Sequence, residues 1–175
     1  MRIIAGAWRG RRLSAPPGRR VRPTGDRLRE AWMSAMGGSF HGLRVADLFA
    51  GSGALGLECL SRGADSCTFV ERSSGVVRVL QRNVDDLGAG ERATVVRADA
   101  LAWAERLSDH AFDLVLADPP YARGFAAALA RCWLEGPFAR ELWIEHRADE
   151  VLPEVPELHQ RRYGDTLLST LRLPE

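Results

Sequence analysis

The sequence predicts an α/β fold with a mostly parallel sheet of seven strands, and three observations support that prediction. From Leu43 onward, short β-rich runs alternate with helical patterns, which is typical of βαβ units. A glycine-rich turn follows the first run, and a short turn joins the last two runs, which predicts an antiparallel hairpin at the sheet edge. With 175 residues, of which 46% are hydrophobic, the chain can bury the core of one domain.

The individual elements follow from the same patterns. The five parallel strands are mostly apolar runs that end in a small or polar residue: Arg44–Phe49, Ser66–Glu71, Ala93–Ala98, Phe112–Ala117 and Glu141–His146. Helices are predicted at about 53–63, 73–87, 100–107 and 123–134, and the second of them repeats apolar residues at helical spacing. The closing hairpin is expected over about 158–163 and 167–173.

The segment before the first strand predicts a small extension. Residues 2–14 are typical of a short β-hairpin, with Gly10 near its turn. Arg27–Met36 predicts a helix, with Asp26 as a possible N-cap.

The charge of the chain is divided unevenly. The net charge is +1, but residues 1–44 hold ten arginines against two acids and are therefore +8, while the remainder is −7. All 24 basic residues are arginine, which base-composition bias explains most simply. Because a guanidinium binds phosphate oxygens bidentately, we expect the basic extension at 1–42 to bind a nucleic acid, with a merely solvated basic tail as the alternative, and we expect an acidic domain at 43–175.

Cysteine usage and hydropathy argue against other classes of protein. The three cysteines, Cys59, Cys67 and Cys132, form no C-x-x-C pair, and no histidine cluster has ligand spacing. We therefore expect neither a disulfide scaffold nor a metal site. No apolar run approaches the ~20 residues that span a bilayer, so we expect a cytoplasmic protein with no membrane partner.

A glycine motif follows the first predicted strand. The string Asp47-Leu48-Phe49-Ala50-Gly51-Ser52-Gly53-Ala54-Leu55-Gly56 contains G-x-G-x-x-G. Glu71 ends the second strand 20 residues after Gly51, where an acid can accept hydrogen bonds from both ribose hydroxyls of a nucleoside cofactor. The glycines let the backbone approach that cofactor, and the helix N-terminus offers free N–H groups. The motif therefore indicates an adenosine derivative.

Two cofactor classes fit this motif, a dinucleotide and S-adenosylmethionine. Asp47 favours S-adenosylmethionine, because a carboxylate before the glycines suits the amino group and sulfonium of the methionine end and suits a pyrophosphate poorly. Asp99, with Ala100 beside it, follows the third strand and can bind the adenine amino group. An N-cap role for Asp99 is equally well supported, and both roles are compatible.

The fourth strand ends in a second motif, Asp118-Pro119-Pro120-Tyr121. Two prolines form a stiff loop at the carboxyl edge of the sheet, where open α/β folds bind ligands. The exocyclic amine of a base is a poor nucleophile until acceptors hold its N–H protons. The Asp118 carboxylate and the Pro119 carbonyl can supply two such acceptors, and Tyr121 offers a ring for base stacking worth ~1–3 kcal/mol. The loop therefore predicts methylation of an amino group.

These motifs resemble those of class I, S-adenosylmethionine-dependent amino-group methyltransferases, and the chain is similar throughout to the bacterial 16S rRNA guanine-N2 methyltransferase family. The strings that carry the resemblance are Arg2–Gly6, Gly10–Leu13, Arg22-Pro23-Thr24, Asp26-Arg27, Arg29-Glu30, Asp47–Ala64, Phe69-Val70-Glu71, Ala117–Tyr121 and Tyr163–Thr166. The chain departs from the family pattern at Gly25 and at Trp32-Met33-Ser34.

The resemblance implies a Rossmann-like class I methyltransferase fold and transfer of a methyl group to guanine N2 in 16S rRNA, within an assembling 30S subunit and by a monomer. The residues that it assigns to the cofactor are Asp47, Ala50, Gly51, Gly53, Glu71, Asp99 and Ala100. Asp118 and Pro119 would orient the amine, and Tyr121 would hold the base. The arginines expected to face RNA are Arg9, Arg11, Arg12, Arg22, Arg27 and Arg29.

Two other functions stay open at this stage. The same loop could serve a methyltransferase acting on DNA adenine or cytosine, or on a protein glutamine. A non-catalytic RNA-binding assembly factor could keep the fold, and a nicotinamide enzyme is a weaker fit.

We interpret Glu145 and His146 as structural, Asn83 as a surface or capping residue, and Glu30 as an ion-pair partner of a neighbouring arginine.

Overall fold

The computed structural model describes residues 1–16, 23–121, 123–155 and 157–173, and the side chains of residues 23–26 are not described. Its helices are α1 (Pro23–Ala35), α2 (Ala54–Ser61), α3 (Ser74–Leu87), α4 (Ala100–Ala104) and α5 (Phe125–Glu135). Its strands are β1 (Arg44–Leu48), β2 (Ser66–Glu71), β3 (Ala93–Arg97), β4 (Phe112–Ala117), β5 (Ala139–Arg147), β6 (Leu158–Tyr163) and β7 (Thr166–Arg172). Each predicted strand and helix is present, with bounds that shift by a few residues.

The seven strands form one sheet in the order β3-β2-β1-β4-β5-β7-β6. The first five pair in parallel, and β7 pairs antiparallel with both β5 and β6, as the hairpin prediction requires. The strand order reverses between β1 and β4. This reversal opens a crevice at the carboxyl ends of those two strands, which is where open α/β sheets bind ligands.

Two apolar layers cover the sheet. Successive residues of β4 alternate between them, so that Leu114 and Leu116 join one core while Val115 and Ala117 join the other. The first core includes residues of α1, α2 and α3, and the second includes residues of α4 and α5. Burial on both faces explains why the central strands are continuous apolar runs. None of the described helices has the length and apolar run needed to cross a membrane.

The N-terminal extension is only partly as predicted. Residues near Arg2 and Arg12 pair antiparallel through one bridge, and Gly10 has a φ of 82° at the end of the connecting loop. The prediction that Asp26 caps the next helix is wrong, because α1 begins at Pro23 and Asp26 lies inside it. Proline is favoured in the first turn of a helix, since the N–H that it lacks would have no partner there.

A buried carboxylate attaches the extension to the domain. The Glu58 side chain on α2 is fully buried and accepts hydrogen bonds from the backbone N–H groups of Ile4 at 2.8 Å and Ala5 at 2.9 Å. Arg62 Nε donates to it at 2.9 Å, and Arg29 Nε lies 3.8 Å from it. Two guanidinium groups and two amides therefore compensate the burial of this charge.

Asn83 attaches the extension to the domain at a second point. Our interpretation of it as a surface or capping residue is therefore wrong. Its side chain is buried on α3, where Oδ1 accepts from the Ser14 N–H at 2.8 Å. Its Nδ2 donates to the carbonyls of Ser14 and Ser52 at 3.0 and 2.9 Å. Asn83 thus joins the extension to the glycine turn.

We predict that Glu58→Ala lowers the free energy of unfolding by about 3–5 kcal/mol, because it leaves two amides and a buried guanidinium without their acceptor. Urea denaturation measures the loss. Glu135→Ala, which removes an exposed carboxylate from the end of α5, is the matched control and should change stability by less than about 0.5 kcal/mol. A Glu58→Ala loss no larger than that of the control would contradict the attachment.

Candidate functional site

A cavity of about 480 Å³ opens at the carboxyl edge of the sheet. It lies where the strand order reverses, between the glycine turn that follows β1 and the loop that follows β4. Its lining includes Gly51 from the first of these, Asp118 from the second, and Glu71 from the end of β2. The structure therefore brings together three of the elements that the two motifs predicted.

The three glycines of the motif have different tasks. Gly51 lines the cavity, with a φ of 57°. Gly53 has a φ of 81°, and a Cβ there would lie 2.4 Å from Leu80 Cδ1, so the turn requires glycine at this position. A Cβ on Gly56 would lie 2.4 Å from Phe69 Cε1, so this glycine lets α2 pack closely on β2. Only Gly51 is among the described lining residues, and the other two shape the turn.

Glu71 organises the floor of the cavity. Its Oε2 accepts from the Gly51 N–H at 3.1 Å, and its Oε1 accepts from the Ser73 N–H at 2.8 Å. One carboxylate thus joins the glycine turn to the residue that precedes α3. Each oxygen has further acceptor capacity, and the residue is only partly buried, so Glu71 can also accept hydrogen bonds from a ligand diol.

Asp47 lies beneath the turn, not on the cavity surface. Its side chain is buried, and Oδ2 accepts from the Gly56 N–H at 2.9 Å, which holds the start of α2. Burial raises the pKa of Asp47 to about 8, opposed by the Gly56 hydrogen bond and assisted by the nearby charges of Asp118 and Glu71. A positive charge in the cavity would stabilise the ionised form of this carboxyl.

Of the other predicted cofactor residues, two line the cavity and one is buried outside its described lining. Asp99 and Ala100 both line the cavity, and Asp99 Oδ1 also accepts from the Ala102 N–H at 3.1 Å. That bond confirms the N-cap role, and it is compatible with a second hydrogen bond from the carboxylate to a ligand. Ala50 is buried and donates its N–H to the Val70 carbonyl at 3.0 Å, so its part is to link β1 and β2.

The loop after β4 presents its residues to different surroundings. Asp118 and Pro120 line the cavity, whereas Pro119 is buried and is not among the described lining residues. Tyr121 follows with 45% of its surface exposed, although it is a large aromatic residue. Tyr121 is not among the described lining residues, but it follows Pro120, which is, and an exposed aromatic ring can hold a planar ligand by stacking.

Glu145, which we interpreted from the sequence as structural, contacts a residue of the second motif. Its carboxyl lies near the carboxyl end of β5 and accepts from the Tyr121 hydroxyl at 2.6 Å. Burial and the charge of Asp118 raise the pKa of Glu145 to about 7. No local pattern marks this residue, because its partners come from a loop 24 positions away and from α1. His146, by contrast, is structural: it contacts Ser169 and the Arg147 carbonyl within the sheet.

The predicted RNA-facing arginines separate into exposed and buried groups. Arg9, Arg11, Arg12 and Arg27 are exposed. The prediction for Arg29 is wrong, because this side chain is buried and its guanidinium donates to the Arg2 carbonyl and lies near Glu58. Arg22 lies outside the described residues.

The cavity also includes side chains that sequence reasoning missed. Phe49 and Phe125 pack with ring centroids 5.4 Å apart and form an apolar wall, and Arg123 adds a positive charge at the mouth. Phe49 belongs to the glycine-rich string Asp47–Gly56, so that motif could have identified it as a cavity residue. Arg123 and Phe125 belong to no recognisable motif. Among the described residues, no group of three His, Cys, Asp or Glu side chains could hold a metal ion.

Known proteins resemble this chain over almost its whole length. A family model described as Conserved hypothetical protein 95 matches residues 1–172. Ribosomal RNA small subunit methyltransferase D of Escherichia coli (strain K12) is 35% identical over 169 residues, which cover 93% of this chain and 84% of that protein. The structure of a hypothetical protein of Thermus thermophilus is 31% identical, covers 99% of both chains and has a TM-score of 0.80.

A more distant neighbour shows the fold alone. The 16S rRNA N2 G1207 methyltransferase of Thermus thermophilus, in complex with AdoMet and guanosine, is 20% identical, with a TM-score of 0.67. The match covers 89% of this chain and 44% of the neighbour. These structures confirm the Rossmann-like class I methyltransferase fold.

The raised pKa of Asp47 predicts how stability depends on pH. Between pH 5 and 7 this carboxyl is protonated in the folded state and ionised in the unfolded state, so stability falls as pH rises, by up to ~1.4 kcal/mol per pH unit. Asp47→Asn should remove that part of the slope in urea denaturation at pH 5, 6 and 7. The exposed Asp109→Asn should keep the wild-type slope. A wild-type slope in Asp47→Asn would show that Asp47 titrates normally.

Proposed function

The chain belongs to the Conserved hypothetical protein 95 family, and from that premise we propose that it is an S-adenosylmethionine-dependent methyltransferase that modifies the N2 amine of a guanine in 16S rRNA. The observation that carries the proposal is the meeting of Asp118 and Glu71 in one cavity where the strand order reverses. Asp118 would serve the base amine, and Glu71 would serve the cofactor ribose. The exposed Tyr121 ring completes the base site.

The cavity fits a cationic nucleoside. Its described lining has three acids, Glu71, Asp99 and Asp118, against two arginines, Arg72 and Arg123, and this net negative charge favours a positively charged ligand. Glu71 would hold the ribose hydroxyls, while Asp99 and Ala100 would hold the adenine. S-adenosylmethionine supplies a methyl group activated on a sulfonium when it is bound.

The residues of the second motif act on the base. A guanine N2 lone pair is delocalised into the ring, and an acceptor that holds an N–H proton favours the tetrahedral nitrogen that can attack a methyl carbon. Asp118 is that acceptor, and the Pro119 carbonyl is proposed as the second. Tyr121 supports the base by stacking. Positioning of this kind can contribute roughly 7–11 kcal/mol to lowering a barrier.

The basic extension would hold the RNA backbone. Arg9, Arg12 and Arg27 are exposed on a segment that Glu58 and Asn83 fix to the domain. Arg11 is also exposed, and its guanidinium bonds the Asp86 carbonyl. The base must leave its stack to enter the cavity, so the target is an unpaired or flipped guanine. We propose that a monomer does this in the cytoplasm on an assembling 30S subunit.

The decisive variant is Asp118→Ala. With labelled S-adenosylmethionine and undermodified 30S particles, wild-type protein should incorporate methyl groups, and Asp118→Ala should reduce the rate about 100-fold or more, because the amine loses its main acceptor. Asp109→Ala, which removes an exposed carboxylate elsewhere, should retain the wild-type rate.

Three results would contradict the proposed function or its mechanism. Equal incorporation by Asp118→Ala and wild type would exclude Asp118 as the acceptor. Wild-type incorporation into free DNA or into protein, with none into rRNA or particles, would favour the other amino-group methyltransferases, and absence of S-adenosylmethionine binding in calorimetry would favour an assembly factor.

RNA affinity should depend strongly on salt. Each phosphate contact adds ~0.7–0.9 to the negative slope of log K against log salt concentration. Replacing Arg9 and Arg12 together by alanine should reduce that slope by about 1.4–1.8 in anisotropy titrations with an rRNA fragment. The matched pair Arg106→Ala and Arg131→Ala, exposed on the domain, should leave it unchanged. If both double variants have the same salt dependence of RNA affinity, the RNA backbone does not contact Arg9 and Arg12.

A further inference from the structure

Glu145 occupies an unusual position for a carboxyl group. It lies on β5 with only 5% of its surface exposed, and burial and the charge of Asp118 both oppose its ionisation. Keeping a carboxyl in such a place costs free energy, which residues outside functional sites rarely bear. Two hydrogen bonds compensate it: the Tyr121 hydroxyl donates to Oε1 at 2.6 Å, and the Trp32 side chain also bonds the carboxyl.

We propose that Glu145 is a positioning residue that fixes the Tyr121 ring as the platform on which the target guanine stacks. The proposal rests on the proposed function and deepens it, because it names the residue that prepares the base site before RNA binds. Glu145 does so without touching the base itself, since its side chain is almost completely buried.

The geometry of Tyr121 explains why such a residue is needed. The ring stands on a loop, with nearly half of its surface in solvent, and the preceding prolines fix the backbone but not the ring. A hydrogen bond from its hydroxyl to a buried carboxyl restrains the ring at its far end. Thr166, at the start of β7, also hydrogen-bonds Tyr121. The ring is thus held at its tip by two neighbouring strands, β5 and β7.

The same carboxyl connects this platform to the extension. Trp32 belongs to α1, is almost completely buried, and packs in the core that includes Ile3 and Leu13 of the extension. One hydrogen-bonded group therefore contacts both the helix of the RNA-binding segment and the residue that receives the base. The platform is fixed relative to the surface that would hold the RNA backbone.

A double-mutant cycle tests the proposal. Tyr121→Phe keeps the ring and removes only the hydroxyl, and Glu145→Ala removes the acceptor. Because a bond to a charged group is lost, each should raise KM for RNA about 10-fold, with a smaller change in kcat. The double variant should be no worse than either single variant, since both remove the same bond. Glu145→Gln keeps an acceptor oxygen and should recover most of the loss.

A spectroscopic readout makes the test independent of activity. The chain has two tyrosines, Tyr121 and Tyr163, so protein labelled with ¹³C at tyrosine Cζ gives two signals. Tyr163→Phe assigns them and serves as the control for loss of a hydroxyl, with wild-type KM expected. Glu145→Ala should shift the Tyr121 signal and leave that of Tyr163 unchanged.

The outcomes separate this inference from the proposed function. If wild-type protein methylates rRNA but Tyr121→Phe has wild-type KM, or if the two substitutions are additive, Glu145 does not act through Tyr121 and the inference is wrong. An unshifted Tyr121 signal in Glu145→Ala overturns it as well. If wild-type protein methylates no RNA, the proposed function fails, and the signal shift still decides whether Glu145 holds Tyr121.

Discussion

The hydrogen bonds of one buried carboxylate, Glu58, hold the two oppositely charged parts of the chain together. The helix that carries Glu58, α2, begins directly after the glycine turn, so the extension is attached to the element that follows the turn lining the cavity. The approach is close: Trp8 and Ala7 donate their N–H groups to Ser61, and a Cβ on Gly6 would lie 1.9 Å from the Ser61 carbonyl oxygen. This attachment helps to fix the extension, which has nine arginines and two acids and a net charge of +7 over residues 1–42, relative to the site that it would serve.

The opposing charges then have separate tasks. Acidic groups converge where a cationic cofactor would bind, at the carboxyl ends of β1, β2 and β4. Burial, assisted by repulsion from neighbouring carboxylates, raises the pKa values of Asp47 and Glu145. Such a cluster would repel a nucleic acid. The exposed arginines of the extension would offset that repulsion at a distance, while a neutral aromatic ring, Tyr121, would meet the base near the acids. One small chain can thereby bind a cation and a polyanion side by side.

Local patterns predicted the sheet and the two motifs well, because their causes are local. Ser66–Glu71 and Phe112–Ala117 match β2 and β4 residue for residue, since an apolar run buried on both faces is bounded by polar groups. Glu71 and Asp118 were found because they stand at strand ends. The helix predicted to begin at Arg27 begins at Pro23, because proline is favoured in the first turn of a helix and Asp26 does not cap it.

The interpretations of Arg29 and Asn83 were wrong for one physical reason. Both have polar side chains that the structure buries, and both bond partners from distant parts of the chain, as Glu145 also does. Nothing in their immediate neighbours distinguishes an arginine that bonds a carbonyl from one that bonds a phosphate. Only tertiary structure brings Trp32, Tyr121 and Glu145 to one point, although they are far apart in sequence.

We propose that this protein methylates the N2 amine of guanine in small-subunit rRNA. The most direct measurement is nuclease mapping with mass spectrometry of rRNA from particles treated with the protein and S-adenosylmethionine, compared with untreated particles. The account predicts N2-methylguanosine at a single position in an unpaired segment. A methyl group on adenine or cytosine, on another guanine atom, or on ribosomal protein alone would contradict it.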